Sequence, residues 1–305
     1  MTAIIIIFIS VSIASYFTLL RPLNAFIAFG SVYLGYFTAM SRSDSPPRML
    51  LLLAGLSAFF IAGFGNVLND LLDLPADRLN RPDRPLPSGR VESRGAFFLS
   101  TLLLLLGFLC ARLVSPGYLF MAFGVAALLW LYNGFLKRVA LVGNLLVAGL
   151  TGFTLLYGGL LATSWGLSLI PALFASLLNL ARELVKTALD RSGDEAVGYR
   201  TFAVRFGERG CTGFAAGVLL LFCGLVPLPY LFGIYNMKYM LLAGGGVLLP
   251  SLLLVVQLFK PFDAKRARTI TVLLKGVMIL GLLSVLIGKG AVVCGHAFSE
   301  SAVPL

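Results

Sequence analysis

Nine stretches of this chain are each long and apolar enough to cross a bilayer, and that repetition leaves very few folds open. A membrane-spanning helix needs about 20 predominantly apolar residues. Runs of that kind are read near 23–40, 49–75, 96–113, 117–134, 139–161, 164–187, 211–233, 238–259 and 270–290. Only helices and closed barrels satisfy their backbone polar groups in lipid. Runs this long are helical, so the expected class is an all-α membrane protein. With 59% hydrophobic and only 12% charged residues, the 305-residue chain has more apolar surface than a soluble core of its length would bury. Residues 2–20 are apolar as well, but Arg21-Pro22 follows at once and leaves no room for a turn. We therefore expect 1–20 as a lead-in or interfacial helix, 21–295 as one membrane-embedded domain and 296–305 as a tail.

The net charge of +11 does not point to nucleic acid, because the basic residues sit where the positive-inside rule puts them. With nine spans, the loops after the even-numbered ones hold 17 of the 24 Lys and Arg residues, and the loops after the odd-numbered ones only 4. This predicts even loops and the N-terminus in the cytoplasm and the C-terminus outside. Cys110, Cys211, Cys223 and Cys294 are scattered, mostly in or beside apolar runs, and read as small hydrophobes. His296 is the one histidine, which excludes a histidine-based metal site or a Ser-His-Asp triad.

The acidic residues are more concentrated still. Ten of the 13 lie at the end of the second run and just beyond, or at the end of the sixth and just beyond. The first cluster reads Asn66-Val-Leu-Asn-Asp-Leu-Leu-Asp-Leu-Pro-Ala-Asp77. Asn69, Asp73 and Asp77 are four apart, so a helix would put them on one face about 5–6 Å from one another, with Asp70 and Asn66 flanking. Pro75 leaves Asp77 less firmly placed. The second cluster, Arg182 to Asp194, repeats the spacing at Asp190 and Asp194, with Gly193 a candidate helix break between them. Its Arg182 and Lys186 are also four apart. Acids at a helix C-terminus oppose the helix dipole and are costly at the membrane boundary, and a divalent cation offsets that cost. Oxygen ligands without Cys or His point to Mg²⁺ or Mn²⁺, and Mg²⁺ takes one or two carboxylates together with substrate phosphates. Two such clusters four spans apart suggest a pseudo-repeat and a diphosphate site between them. The linking loop Asn80 to Arg90, rich in Pro and Arg, reads either as a stiff turn or as a lid whose arginines, Arg84 among them, help hold a diphosphate.

These residues resemble the UbiA-type intramembrane prenyltransferase superfamily. Its signature Asn-Asp-x-x-Asp-x-x-x-Asp is met by Asn69, Asp70, Asp73 and Asp77, and its Asp-x-x-x-Asp by Asp190 and Asp194. The 80–90 loop is similar too, as are Arg21-Pro22-Leu23-Asn24, Tyr132-Asn133 with Lys137, and Gly198 to Gly207 with Thr201. The likeness covers roughly 21–290. It implies the UbiA-type fold: nine helices around a central cavity with the two motifs facing one another at its mouth. It also implies Mg²⁺-dependent transfer of a prenyl group from a prenyl diphosphate to an acceptor in the membrane.

On that resemblance, Asn69, Asp73, Asp77, Asp190 and Asp194 hold the metal. Asp70, Tyr132, Lys137, Arg182 and Lys186 are the catalytic candidates, Tyr132 through its π face. Arg21, Asn24, Asn66, Arg84, Asn144, Tyr157 and Thr201 are the substrate-binding candidates. For Tyr157 core packing, and for Asn24 and Asn144 helix–helix hydrogen bonds, remain open alternatives. The chain looks most like the geranylgeranylglyceryl-phosphate geranylgeranyltransferase group, which implies a geranylgeranyl donor and a glycerol-phosphate lipid acceptor. That group often carries acids at the positions of Thr187 and Leu189. This chain does not, so aromatic acceptors of quinone, haem or chlorophyll precursors stay in view. From other classes, an ion-coupled transporter would place its acids near mid-span, and a CDP-alcohol phosphatidyltransferase would gather them in one contiguous motif.

Overall fold

The computed structural model describes residues 14–41, 44–45 and 47–289. The expectations for residues 1–13, for Cys294 and for the 296–305 tail with His296 lie outside the described residues. The helix α1 (Ala14–Leu20) runs into α2 (Pro22–Ala39) through a 45° bend. Arg21 makes the bend in the left-handed conformation (φ 50°, ψ 65°), which is costly for a residue with a Cβ. Next come α3 (Arg48–Leu72), the short α4 (Leu74–Asn80), α5 (Ser93–Val114), α6 (Pro116–Gly134) and α7 (Val142–Gly159). The second half holds α8 (Leu169–Ala196), α9 (Phe202–Leu225), the one-turn α10 (Leu228–Leu231), α11 (Met237–Ala243), α12 (Leu249–Leu258) and α13 (Ala264–Gly288). A π turn at Gly244–Leu248 joins α11 to α12 in one span.

Among the described residues, eight helical spans are long and apolar enough to cross a bilayer, or nine where the bent α1–α2 pair counts as one span. The expected boundaries need correcting at the motif-bearing helices. The second run ends at Leu72 instead of 75, because Pro75 cannot donate to the helix ladder and starts α4. The sixth run does not stop at 187: α8 continues unbroken through a buried Gly193 to Ala196. The seventh begins at Phe202, with a kink where Gly207 takes φ 73°.

The helices invert the pattern of a soluble bundle. On α5, Ala96, Ser100, Gly107 and Ala111 face inward, while Phe98, Leu102, Leu105, Leu109 and Leu113 are exposed to the surroundings. Lipid offers large apolar side chains no penalty, so small residues go to the interfaces, where they let backbones approach. The closest approach joins α2 and α7. A Cβ on Gly158 would lie 1.8 Å from the carbonyl oxygen of Val32, and one on Gly35 would lie 1.8 Å from that of Leu155. The motif helices α3 and α8 each pack extensively on the next long helix, α5 and α9 respectively, and α13 closes the ring against α2. At the end away from the acidic motifs, the ammonium of Lys289 donates to the carbonyls of Phe37 (2.9 Å) and Met40, capping α2 from across the ring. There Asp44 accepts from the Thr163 hydroxyl at 2.9 Å, tying the loop after α2 to the loop after α7.

The α2–α7 seam yields a direct test. Gly158→Val forces a side chain into the Val32 backbone and should destabilise the protein by about 3 kcal/mol or more. Gly149→Ala on the same helix meets nothing within 4 Å and should leave stability unchanged or slightly raised. Thermal unfolding of the purified protein in detergent separates the two outcomes.

Candidate active site

The two acidic motifs end α3 and α8 at the same end of the bundle, and the structure brings them together. Arg81, just past α4, donates to Asp190 Oδ1 at 2.9 Å and so links the first motif's extension to the second motif. Tyr132, near the end of α6, lies within electrostatic reach of Glu183, Asp73, Asp194 and Asp190. Asp194 in turn interacts with Asp190, Asp73 and Lys137, and has the buried Thr201 beside it. The expected juxtaposition of the motifs is therefore present, with Tyr132 between them.

Within the first motif, however, the polar groups divide into two sets. In one, Asn69 Nδ2 donates to Asp73 Oδ2 at 2.7 Å and to Asn133 Oδ1 at 2.9 Å. The Lys137 ammonium pairs with the other Asp73 oxygen. In the second set, the guanidinium of Arg84 bridges Asp77 (2.6 Å) and Asp70 (3.3 Å), and Arg21 pairs with the same Asp70 oxygen. Asp70 and Asp77 are only 5% and 7% exposed. Seven residues are about two helical turns, so positions 70 and 77 share a face. The break at Asp73 does not disturb that register much, since the Asp77 N–H still donates to the Asp73 carbonyl at 2.8 Å. Asp77 thus joins Asp70 in a buried clasp, where spacing had grouped it with Asn69 and Asp73.

The clasp explains two other residues. Asn66 Nδ2 donates to the Leu20 carbonyl at 3.0 Å, satisfying a group freed by the α1–α2 bend. The strained Arg21 backbone follows immediately and aims its guanidinium at Asp70. The linking loop is built into the fold: Leu86 and Val91 are buried in the same apolar cluster as Leu19, Leu20 and Val67.

On α8, Glu183 is buried and accepts from Arg182 (2.7 Å) and Lys186 (3.3 Å). Arg182 also donates to Asn179 Oδ1 at 3.1 Å. Asn144 donates to the Thr187 hydroxyl at 2.8 Å, a helix–helix bond between α7 and α8, and Thr187 donates back to the Glu183 carbonyl. Tyr157 stands apart from the acids. It is buried among α3, α6 and α7, with its hydroxyl on Ser57 and its carbonyl accepting from Tyr118. Asn24 is exposed at the start of α2 and bonds to no described side chain. Around the second motif, Arg138 stacks over the Tyr199 ring at 5.0 Å, and Val139 bridges to Arg200, pinning the loop after α8 to the loop after α6. Burial, with Asp73 adding to it, raises the Tyr199 phenol above its usual range.

Sequence reasoning met Arg81, Asn133 and Glu183 only as members of the loop, motif and acidic cluster without singling them out, and it passed over Lys275. Lys275 interacts with Arg182, Lys186 and Glu183 from α13. It carried an available signal, a solitary charge inside an apolar span.

The donor set suits a hard cation. Asp73, Asp190 and Asp194 offer oxygen only, and they interact with one another across the motif interface. Among the described residues, no three acids, histidines or cysteines are gathered to hold an ion unaided. That matches Mg²⁺, which completes its octahedron with substrate phosphates and water.

Residues 28–283 match the model of the UbiA prenyltransferase family. The chain is 33% identical over 272 residues to the digeranylgeranylglyceryl phosphate synthase of Methanopyrus kandleri, covering 89% of this chain and 98% of that one. It also resembles a solved structure described as giving structural and mechanistic insights into digeranylgeranylglyceryl phosphate synthase in membranes. That likeness has a TM-score of 0.72 and 29% identity, over 91% of this chain and 98% of that one. A UbiA homolog from Archaeoglobus fulgidus bound to DMAPP and Mg²⁺ shares the fold, at a TM-score of 0.61 and 16% identity over 89% and 99% of the two chains.

The division of the first motif predicts two kinds of variant. Asp70→Ala strips Arg21 of its buried partner and leaves Arg84 only Asp77, and should lower stability by about 3 kcal/mol. Asp194→Ala removes one of several mutually repelling carboxylates and should leave the melting temperature unchanged or raise it. Differential scanning fluorimetry of the two purified variants checks this.

Proposed function

This chain belongs to the UbiA prenyltransferase family, and we propose that within it the chain transfers a geranylgeranyl group from geranylgeranyl diphosphate to a glycerol-phosphate lipid. The single observation that supports this most is the meeting of Asp73 from α3 with Asp190 and Asp194 from α8 around Tyr132, with Lys137 and Arg81 already among the carboxylates. The synthase named for the Methanopyrus kandleri relative, 33% identical over nearly its whole length, supports the acceptor. At position 187, where the lipid group often has an acid, this chain has a threonine whose hydroxyl is committed to Asn144 and to the Glu183 carbonyl, a helix-packing contact.

The chemistry follows from charge separation. Ionising the donor's C1–O bond leaves a diphosphate with growing negative charge and an allylic cation. Asp73, Asp190 and Asp194 would hold Mg²⁺, which would supply neutralisation of part of that charge. Lys137 and Arg81 exchange their carboxylate partners for phosphate oxygens and take up the remainder, a charge-assisted contact stronger than a neutral hydrogen bond. Tyr132 presents its ring to the cation. The apolar helix walls keep water away, so the acceptor hydroxyl is the nucleophile that captures C1. An ether bond forms, the hydroxyl proton is lost and diphosphate leaves. Asp70, Asp77, Arg21 and Arg84 shape the mouth as a structural clasp. Asn69 holds the carboxylate of Asp73 in place, and Thr201 stands beside Asp194.

The acids lie at helix ends, next to arginine-rich loops, and this arrangement supports phosphate chemistry over ion transport. The same loops carry the excess of Lys and Arg, so we place the active site, like the N-terminus, on the cytoplasmic side.

Purified protein given geranylgeranyl diphosphate, Mg²⁺ and a geranylgeranylglyceryl phosphate acceptor should yield the doubly prenylated phosphate by mass spectrometry, with one diphosphate released per product. Asp73→Ala and Asp194→Ala should lower turnover by about 10³-fold or more, and excess EDTA should stop it. Transfer to an aromatic acid with none to the lipid phosphate would instead support the aromatic acceptor class. For orientation, an impermeant maleimide on intact cells should label Lys238→Cys and spare Ser88→Cys until the membrane is opened. Both positions are exposed, and they lie at opposite ends of the bundle.

A further inference from the structure

Lys275 is the one charged residue between Thr269 and Gly288 on α13. It lies seven residues past Arg268, about 10 Å further along the helix. A lysine at such a position is costly and calls for a partner. Among the described residues it makes no hydrogen bond or ion pair, yet it is partly buried within reach of Arg182 and Lys186 on α8. Glu183, the acid that faces all three, already accepts from Arg182 and Lys186. Three cations against one carboxylate leave an excess of positive charge at the α8–α13 interface.

The excess adjoins the diphosphate site through Glu183, which acts on Tyr132 together with Asp73, Asp190 and Asp194, while Lys275 interacts with Arg182, Lys186 and Glu183 alone. Deeper in the bundle an apolar cleft opens between the same two helices. Leu178 lines it one turn from Arg182, and Met278 lines it one turn from Lys275. Phe174 on α8 and Leu282 and Val285 on α13 continue the lining away from the cations. The two helices are antiparallel, so the cations form the rim of this cleft and the aliphatic side chains form its depth.

We propose that Lys275, Arg182 and Lys186 bind the phosphate head of the acceptor lipid at the α8–α13 interface. A phosphate monoester supplies the charge that the three cations lack. This inference rests on reading the acceptor as a lipid phosphate. It moves Arg182 and Lys186 from the donor's diphosphate to the acceptor, and it adds Lys275 as a specificity-determining residue.

The test uses full-length protein with Lys275→Gln, Lys275→Arg and Met278→Trp. Removing an uncompensated charge from a span should not impair folding, so Lys275→Gln should melt no lower than the parent. Its KM for the lipid phosphate should rise about tenfold or more while its KM for geranylgeranyl diphosphate stays within about twofold. Lys275→Arg should keep most of the acceptor affinity. Met278→Trp, one turn from Lys275, should raise the acceptor KM by crowding the head-group site. A second measurement needs no turnover. 1-Oleoylglycerol 3-phosphate should stabilise the parent protein thermally and 1-oleoylglycerol should not, and Lys275→Gln should abolish the difference. An unchanged acceptor KM, a donor KM that rises in parallel, or equal stabilisation of parent and Lys275→Gln by the phosphate lipid would overturn the proposal. A parent enzyme that transfers to no lipid phosphate would overturn the acceptor reading itself, a result visible before any variant is made.

Discussion

Charge held in a low-dielectric medium has to be matched locally, and the motif end of this bundle is arranged around that requirement. Asp70 is the clearest case. It is almost fully buried at the end of a membrane-spanning helix, and it is held by Arg21 and Arg84 from either side in the chain. An uncompensated carboxylate there would cost several kcal/mol. The pairing fixes the α1–α2 bend, the end of α3 and the linking loop in one unit. That unit sets the depth at which Asp73 and Asn69 stand, and so the place where the second motif must meet them.

The remaining acids are matched less completely, and that is where the chemistry belongs. Asp73 has one lysine, Asp190 has one partly exposed arginine, and Asp194 faces other carboxylates. A structural cluster would satisfy these groups as fully as Asp70 is satisfied. Incomplete matching at one locus beside complete matching at its neighbour suits a site whose balance is made up by substrate and metal. The backbone contributes by close packing elsewhere: the glycine seam between α2 and α7 brings two helices to van der Waals contact and stiffens the ring whose far end Lys289 caps. A rigid ring keeps α3 and α8, which come from different halves of the chain, at a constant separation.

Much of this protein is written in local patterns. The apolar runs set the class and the approximate number of spans, because the length of a run against the thickness of a bilayer is a one-dimensional comparison. The four-residue spacing of Asn69 with Asp73, and of Asp190 with Asp194, put each pair on its own helix at the same end of the bundle. The tertiary structure decided which groups answer which charges. Helical periodicity gives the face a residue occupies on its own helix, but its partner comes from wherever the chain returns. Asp77 pairs with Arg84 beside Asp70, a contact that its spacing from Asn69 and Asp73 did not announce. Gly193 did not end α8, because packing on its neighbours holds the last turns in place. Tyr157 went to the core because Tyr118 and Ser57 meet it there. Lys275, passed over in the sequence, comes within electrostatic reach of Arg182 and Lys186, more than 80 residues away, because α13 packs on α8. These assignments depend on contacts between distant segments, which no window of sequence contains.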